Sequence, residues 1–413
     1  MVSHDLIADI LSRLPVKHLL CLRSVSKLWR SLIDDPDFIN LHLSRSLKTR
    51  TNHTLILKST DLHAADLSSL DPFAKLEHPL MSYNHGVEIL GSCNGLLCIR
   101  NIVEDMAIWN PSTRKYQVLP YLGSCKGYAC VFGHDPVADD YNVVKIIQLE
   151  RADDDKPLES EVKVCSLKRN RWRKIQDIPC VSSFPSANGV FACGALHWVL
   201  AQKVDLLVTN VIISLDLAAE SYKEVPQPGY QDDVLQLNIG VLGGCMCVVA
   251  THGDARVDLW VMNEYGVKES WTILFSLARE EVAGPLRFLK PLAYSRSGNQ
   301  KANDVWVPGM PLSYETEICL QSLVSLDVDG TQQNGEDNGH IKKIFKYESD
   351  CCTGLLEWKV PKSCLAFLPA KSRSFSFHLR KRPKNIYERA FAMSSTPVPC
   401  RFNSVVKDEP VIC

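Results

Sequence analysis

The sequence predicts an α+β, multidomain chain: a small N-terminal module of three helices, followed by an all-β domain that is propeller-like, of the kelch type. Two observations predict this. From Asp5 to Leu43 the apolar residues recur at helical spacing and are punctuated by proline and paired aspartates. From Gly86 onward the period changes to short strands, and glycine-led apolar runs return about every 50 residues, the size of one kelch-type blade. Spacing alone leaves a β-sandwich built from the same hairpins open.

The first helix is read from Leu6, Ile7, Ile10, Leu11 and Leu14, taken as one apolar face. Ser3 or Asp5 caps it, and Asp5 and Asp9 suit the positive end of its dipole. Pro15 stops it, because proline lacks the N–H that a helical ladder needs. A second set follows at Leu19, Leu20, Leu22 and Val25, and a third at Leu28, Trp29, Leu32 and Ile33. The Asp34-Asp35-Pro36 run ends the third helix, and Phe38, Ile39, Leu41 and Leu43 add a last apolar turn. A module of about 40 residues buries too little surface to be stable alone, which predicts a partner.

The bounds expected are 1–45 for the helical module, 46–85 for a connecting segment with a first strand at Thr54–Lys58, and 86–327 for the β domain. The β domain carries glycine-led runs at Gly95, Gly194 and Gly244, and hairpins over 106–119, 127–147, 162–175, 211–225 and 257–274. Tyr116, Trp172, Tyr222 and Trp271 each follow a polar turn, where an aromatic packs across its partner strand or between neighbouring sheets. Residues 328–413 form a divergent tail with a polar linker and the composition of a disordered segment.

The run RLPVKHLLCLRSVSKLWRSLIDDPDFINLHL, residues 13–43, resembles an F-box in the form common in plants. The runs GSCNGLLCI, IWNPSTRKY, GHDPVADDY, VKVCSLKRNRWRKI, GALHWVL, LDLAAESYKEVPQP and DLWVMNEYGVKESWTILFSL resemble, in that order, the plant F-box-associated interaction domain. Within that family the motifs are most similar to the branch that regulates constitutive defence-gene expression. The resemblance breaks near 299–305, where one hairpin of about two strands is missing relative to the family. A run like the family's closing strand returns at Glu317–Leu326. At the other end, Met1-Val-Ser-His stands where the family has a Leu-Pro pair, which predicts a weakened N-terminal contact with the adaptor.

The resemblance implies a substrate-recognition subunit of a Skp–cullin–F-box ubiquitin ligase. The F-box would bind a Skp-type adaptor through Leu6, Ile10, Leu14, Pro15, Val16, Lys17, Leu20, Val25 and Trp29, and reach a cullin and a RING subunit indirectly. The β domain would hold a protein substrate, whose lysine gains local concentration near the charged ubiquitin. For the defence branch, that substrate is an immune receptor of the nucleotide-binding, leucine-rich-repeat class. The alternative is an interaction module that binds the adaptor without an active cullin complex. Substrate-contacting residues are not readable.

Composition agrees with such a role and argues against others. The 413 residues carry a net charge of −1, with no electrostatic footprint for nucleic acid or an acidic membrane. No apolar run approaches a membrane span, and the 16 cysteines sit among apolar neighbours, as free thiols of a reduced cytoplasmic or nuclear protein do. The basic run Arg380–Lys384 is a candidate nuclear import signal. No GxSxG, HExxH or Walker-type loop is present, and Cys245-x-Cys247 lacks a second pair for a metal. The expectation is a non-catalytic receptor with no cofactor and no metal.

Overall fold

The computed structural model describes residues 4–326, apart from 60, 68–72, 81–85, 124–127, 149–159, 179–188, 205–206, 231–233, 235, 254–255, 279–290, 294–302 and 305–314; it also describes residues 401–404. The tail beyond 326 otherwise lies outside this set, as do Ser3, proposed as a cap, and the basic run at 380–384.

The N-terminal module has four helices rather than three: α1 (His4–Leu11), α2 (Val16–Leu22), α3 (Lys27–Ile33) and α4 (Pro36–Thr49). The run read as a last apolar turn is the longest of them. Asp35 is its N-cap, its Oδ1 accepting from the N–H groups of Asp37 (2.8 Å) and Phe38 (3.4 Å). Pro36 opens the helix at a position where no N–H is needed. The same Asp-Pro pair that ends one helix therefore begins the next. Pro15 does not stop α1, which ends four residues earlier; it is instead the extended N-cap position of α2. The module's core is Leu11, Val16, Leu19, Leu32, Ile33 and Phe38, joined by Leu323 from the far end of the β domain.

The β domain is a propeller. Among the described residues it has five four-stranded sheets, with strands in sequence order from the inside outward in four of them. These are β4 (Glu88–Cys93), β5 (Leu96–Arg100), β6 (Met106–Trp109) and β7 (Tyr116–Val118); then β8 (Tyr128–Asp135), β9 (Asp140–Gln148), β10 (Ser160–Ser166) and β11 (Arg171–Lys174). The next two are β12 (Val190–Ala192), β13 (Ala195–Val204), β14 (Leu207–Asp216) and β15 (Ser221–Val225); then β16 (Gln236–Leu242), β17 (Cys245–His252), β18 (Arg256–Met262) and β19 (Trp271–Ala278). The inner strands β4, β8, β12 and β16 contact one another in that order, which is radial and excludes the sandwich.

The remaining four-stranded blade, the first in chain order, joins the two ends of the domain. β1 (His53–Lys58), β2 (Leu62–Asp66) and β3 (Ala74–Leu76) are its outer strands, and β22 (Glu315–Leu320) is its inner one, antiparallel to β1 from His53↔Leu320 to Lys58↔Glu315. The segment 46–85, read as a connector, thus supplies three strands of a blade. A further three-stranded sheet follows β16, from β20 (Pro291–Ala293), β23 (Arg401–Ser404) and β21 (Asn303–Asp304). Most of the stretch expected to lack a hairpin lies outside the described residues.

Three of the four turn aromatics tie a blade to the one before it. Trp172 Nε1 donates to Pro120 O (2.7 Å), Tyr222 Oη to Gln176 O (2.8 Å) and Trp271 Nε1 to Pro226 O (2.8 Å). Tyr116 packs against the apolar cluster shared by the first two blades. Eight described cysteines are free thiols, six of them buried; Cys245 is disulfide-bonded, unlike the free thiol expected there. Cys245 and Cys247 lie on one face of β17, in one apolar cluster. No helix among the described residues is long and apolar enough to cross a membrane.

Candidate adaptor-binding face

The apolar set of α1 is too wide for one face. Ile7 and Leu11 turn into the core, while Leu6 and Ile10, also one helical turn apart, stay 52% and 53% exposed. At the α2–α3 junction Val25 and Leu28 are 68% and 66% exposed. These four large apolar side chains stand out to solvent on a module of only four short helices.

The scaffold behind them is held by polar contacts as well as by core packing. Ser26 Oγ caps α3 by accepting from the N–H of Trp29 (3.2 Å). Arg45 of α4 reaches back to α1, donating to Asp9 O (2.9 Å), Asp9 Oδ1 (2.8 Å) and Ser12 Oγ (2.6 Å). Hydrogen bonds from Arg45 and then Arg13 hold the Asp9 carboxyl below its usual range. His42, fully buried, lies 3.0 Å through Nε2 from Leu14 O, and burial lowers its pKa. These contacts fix the turn between α1 and α2 against α4.

The nine residues expected to meet the adaptor therefore divide. Leu6, Ile10, Pro15, Lys17 and Val25 are exposed; Leu14, Leu20 and Trp29 are half-buried, packed against the core while keeping an open edge. Val16, at 1% exposure, is core and acts only through the helices it holds together. Leu28 was absent from the expected set. It sits to one side of the face made by Trp29, Leu32 and Ile33, a displacement its i, i+4 relation to Leu32 concealed.

Two shallow clefts stand out among the described residues of the β domain. One, of about 530 Å³, runs between Asn210, Pro226, Tyr230 and Lys268. The other, of about 540 Å³, is walled by Lys58, Glu88, Arg100 and Glu104. In the second, Arg100 pairs with Glu88 and with Glu104 (3.5 Å), and Glu104 also pairs with the buried Lys145 (3.2 Å). The charges of its wall are thus held in ion pairs with one another. Among the described residues no group of three His, Cys, Asp or Glu side chains is placed to hold a metal ion.

A helical module of this layout, with exposed apolar residues and a propeller behind it, defines the class of F-box proteins with an F-box-associated propeller. Residues 2–41 match the F-box domain and residues 49–283 the F-box associated beta propeller domain; the chain belongs to that family. It is 34% identical over 366 residues to F-box protein CPR1 of Arabidopsis thaliana, covering 78% of this chain and 88% of that protein. It is 33% identical over 385 residues to F-box protein At4g22390 of the same plant, covering 83% and 95%. F-box/kelch-repeat protein At3g23880, also of that plant, is 28% identical, covering 70% and 81%.

Proposed function

We propose that this chain is the substrate receptor of a Skp–cullin–F-box ubiquitin ligase, non-catalytic in itself, with the F-box gripping a Skp-type adaptor and the propeller holding a protein for ubiquitination and proteasomal degradation. The observation that carries the reading is the exposure of Leu6, Ile10, Val25 and Leu28 on a module whose core, closed by Leu323, is filled beneath them. The partner surface we infer is therefore largely apolar where it meets these residues. Cullin and RING subunits follow through the adaptor. The motif pattern supports a defence setting, with an immune receptor of the nucleotide-binding, leucine-rich-repeat class as first candidate substrate, and the reading carries a cytoplasmic and nuclear location.

The test is co-purification from plant cells. The intact chain should bring down both adaptor and cullin. Leu6→Glu/Ile10→Glu, which changes only exposed positions, should lose both while its thermal midpoint stays close to that of the parent. Leu14→Ala would be a poorer probe, since Leu14 also packs on the core. Adaptor without cullin would mean an interaction module rather than a ligase subunit.

A further inference from the structure

The six residues after β22 join the two halves of the molecule. β22 pairs with β1, and Gln321 N continues the link by donating to Asn52 O (2.7 Å). Leu323 then enters the core of the F-box beside Leu11, Leu19 and Phe38, whereas Val324 and Leu326 enter the apolar cluster of the second and third blades. Ser322, just before them, is fully buried. The fully buried Asn110, at the end of β6, donates from Nδ2 to Ser322 O (3.1 Å) and to Val324 O (3.0 Å). Gly95 makes the room: a Cβ there would stand 2.3 Å from Ser322 Oγ and 2.5 Å from Leu320 O, at a φ of +83°. Ile39 of α4 packs against both clusters and Leu43 against that of the blades.

These contacts have a consequence for the order in which the chain becomes competent. The four helices occupy residues 4–49, yet one of the side chains closing their core is at 323. A helical module this small is marginal by itself, and an unfilled Leu site in so small a core leaves a cavity that the helices cannot collapse around without moving. Residue 323 is delivered to that site by the strand that closes the first blade, and it is held there by an asparagine of the second.

We propose that completing the F-box and closing the propeller are one cooperative event, so that the chain offers a rigid adaptor-binding face only when its substrate-binding domain is shut. Residues 321–326 are the coupling element, Leu323 its plug and Asn110 its anchor. The device excludes receptors with an open β domain from the ligase. It also fixes the adaptor face at a set distance from the propeller, which placing a substrate lysine requires. The adaptor half of this statement rests on the function proposed above; the coupling half does not.

Hydrogen exchange on the full chain at neutral pH, paired with adaptor titration, tests both halves. In Leu323→Ala the amides of α1–α4 should exchange roughly tenfold faster or more, with β17 and β18 unchanged, and the adaptor dissociation constant should rise by a similar factor. Leu323→Met, which keeps the volume, should restore both. Asn110→Ala is the sharper variant, because none of its described hydrogen bonds reaches the helices. It should still loosen them. Leu259→Ala, a core cavity in the blade of β16–β19, controls for general destabilisation. Helix exchange at the parental rate in both Leu323→Ala and Asn110→Ala overturns the proposal, as does equal loosening by Leu259→Ala. If helix exchange responds as expected but the parent chain binds no adaptor, the coupling stands and the ligase reading falls.

Discussion

Individual side chains in this molecule are tuned mostly by burial. His197, on β13, is fully buried with Nε2 2.7 Å from Tyr265 Oη, and burial lowers its pKa to about 4 from 6.5. The folded state thus refuses a proton that the unfolded chain accepts between those two values. Its contribution to stability is whole above pH 6.5 and is lost as pH falls toward 4, by on the order of 3 kcal/mol; the buried His42 acts in the same direction. Urea unfolding at pH 7.5 and pH 5 should show this loss, and His197→Gln should show a clearly smaller one. Equal slopes in the two proteins would mean that another group governs the acid limb. Burial likewise pushes the thiols of Cys130, Cys165 and Cys319 up to about 12, so these sulfurs pack as apolar groups and are poor nucleophiles at neutral pH. The apolar setting of each was legible from its neighbours. The depth of His197 was not, because its partner Tyr265 lies 68 residues away, on the turn of the next blade.

At the scale of elements, regular periodicity was read well and punctuation less well. The hairpins from β4 to β19 follow the alternation and turn residues of the sequence, since strand registers there are set by adjacent residues. The Pro15 reading failed and the Pro36 reading was incomplete for a shared reason: a proline without an N–H can start a helix as readily as it can stop one, with a capping side chain before it, as Asp35 precedes Pro36, or without one, as at Pro15. The turn aromatics were singled out by spacing, but their indole and phenol groups bridge blades through carbonyls 45 to 52 residues earlier. Each bridge adds a net hydrogen bond to a large buried surface. Trp271→Phe, keeping most of the packing, should cost about 1 kcal/mol in urea unfolding. Trp271→Ala should cost about 3–5 kcal/mol, having lost the packing as well. A phenylalanine variant as damaged as the alanine one would show that the carbonyl of Pro226 cannot be left unpaired.

Taken whole, the molecule separates a handle from a scaffold while sharing core between them. If the handle recruits the ligase, Leu6→Glu/Ile10→Glu should still bind substrate but no longer deliver it. Expressed above the endogenous receptor, it should raise the steady-state level of proteins that proximity labelling finds beside the intact chain; a fall like that given by the parent would place the handle elsewhere. Local order along the chain determined much of this architecture. The first three helices, the hairpins of four blades and the family resemblance all rest on residues close in sequence, where periodicity, turn chemistry and motif order carry the signal. Tertiary structure alone decided which apolar residues of α1 face outward, because helical spacing does not say how wide a buried stripe its neighbours will cover. It also decided that residues 53–76 belong to a blade, since their inner strand is supplied from 315–320. And it alone joined Leu323 to the F-box, some 280 residues from the nearest helix that it packs on. Contacts between parts so far apart leave no period to read; they exist only once the ring of blades has brought its two ends together.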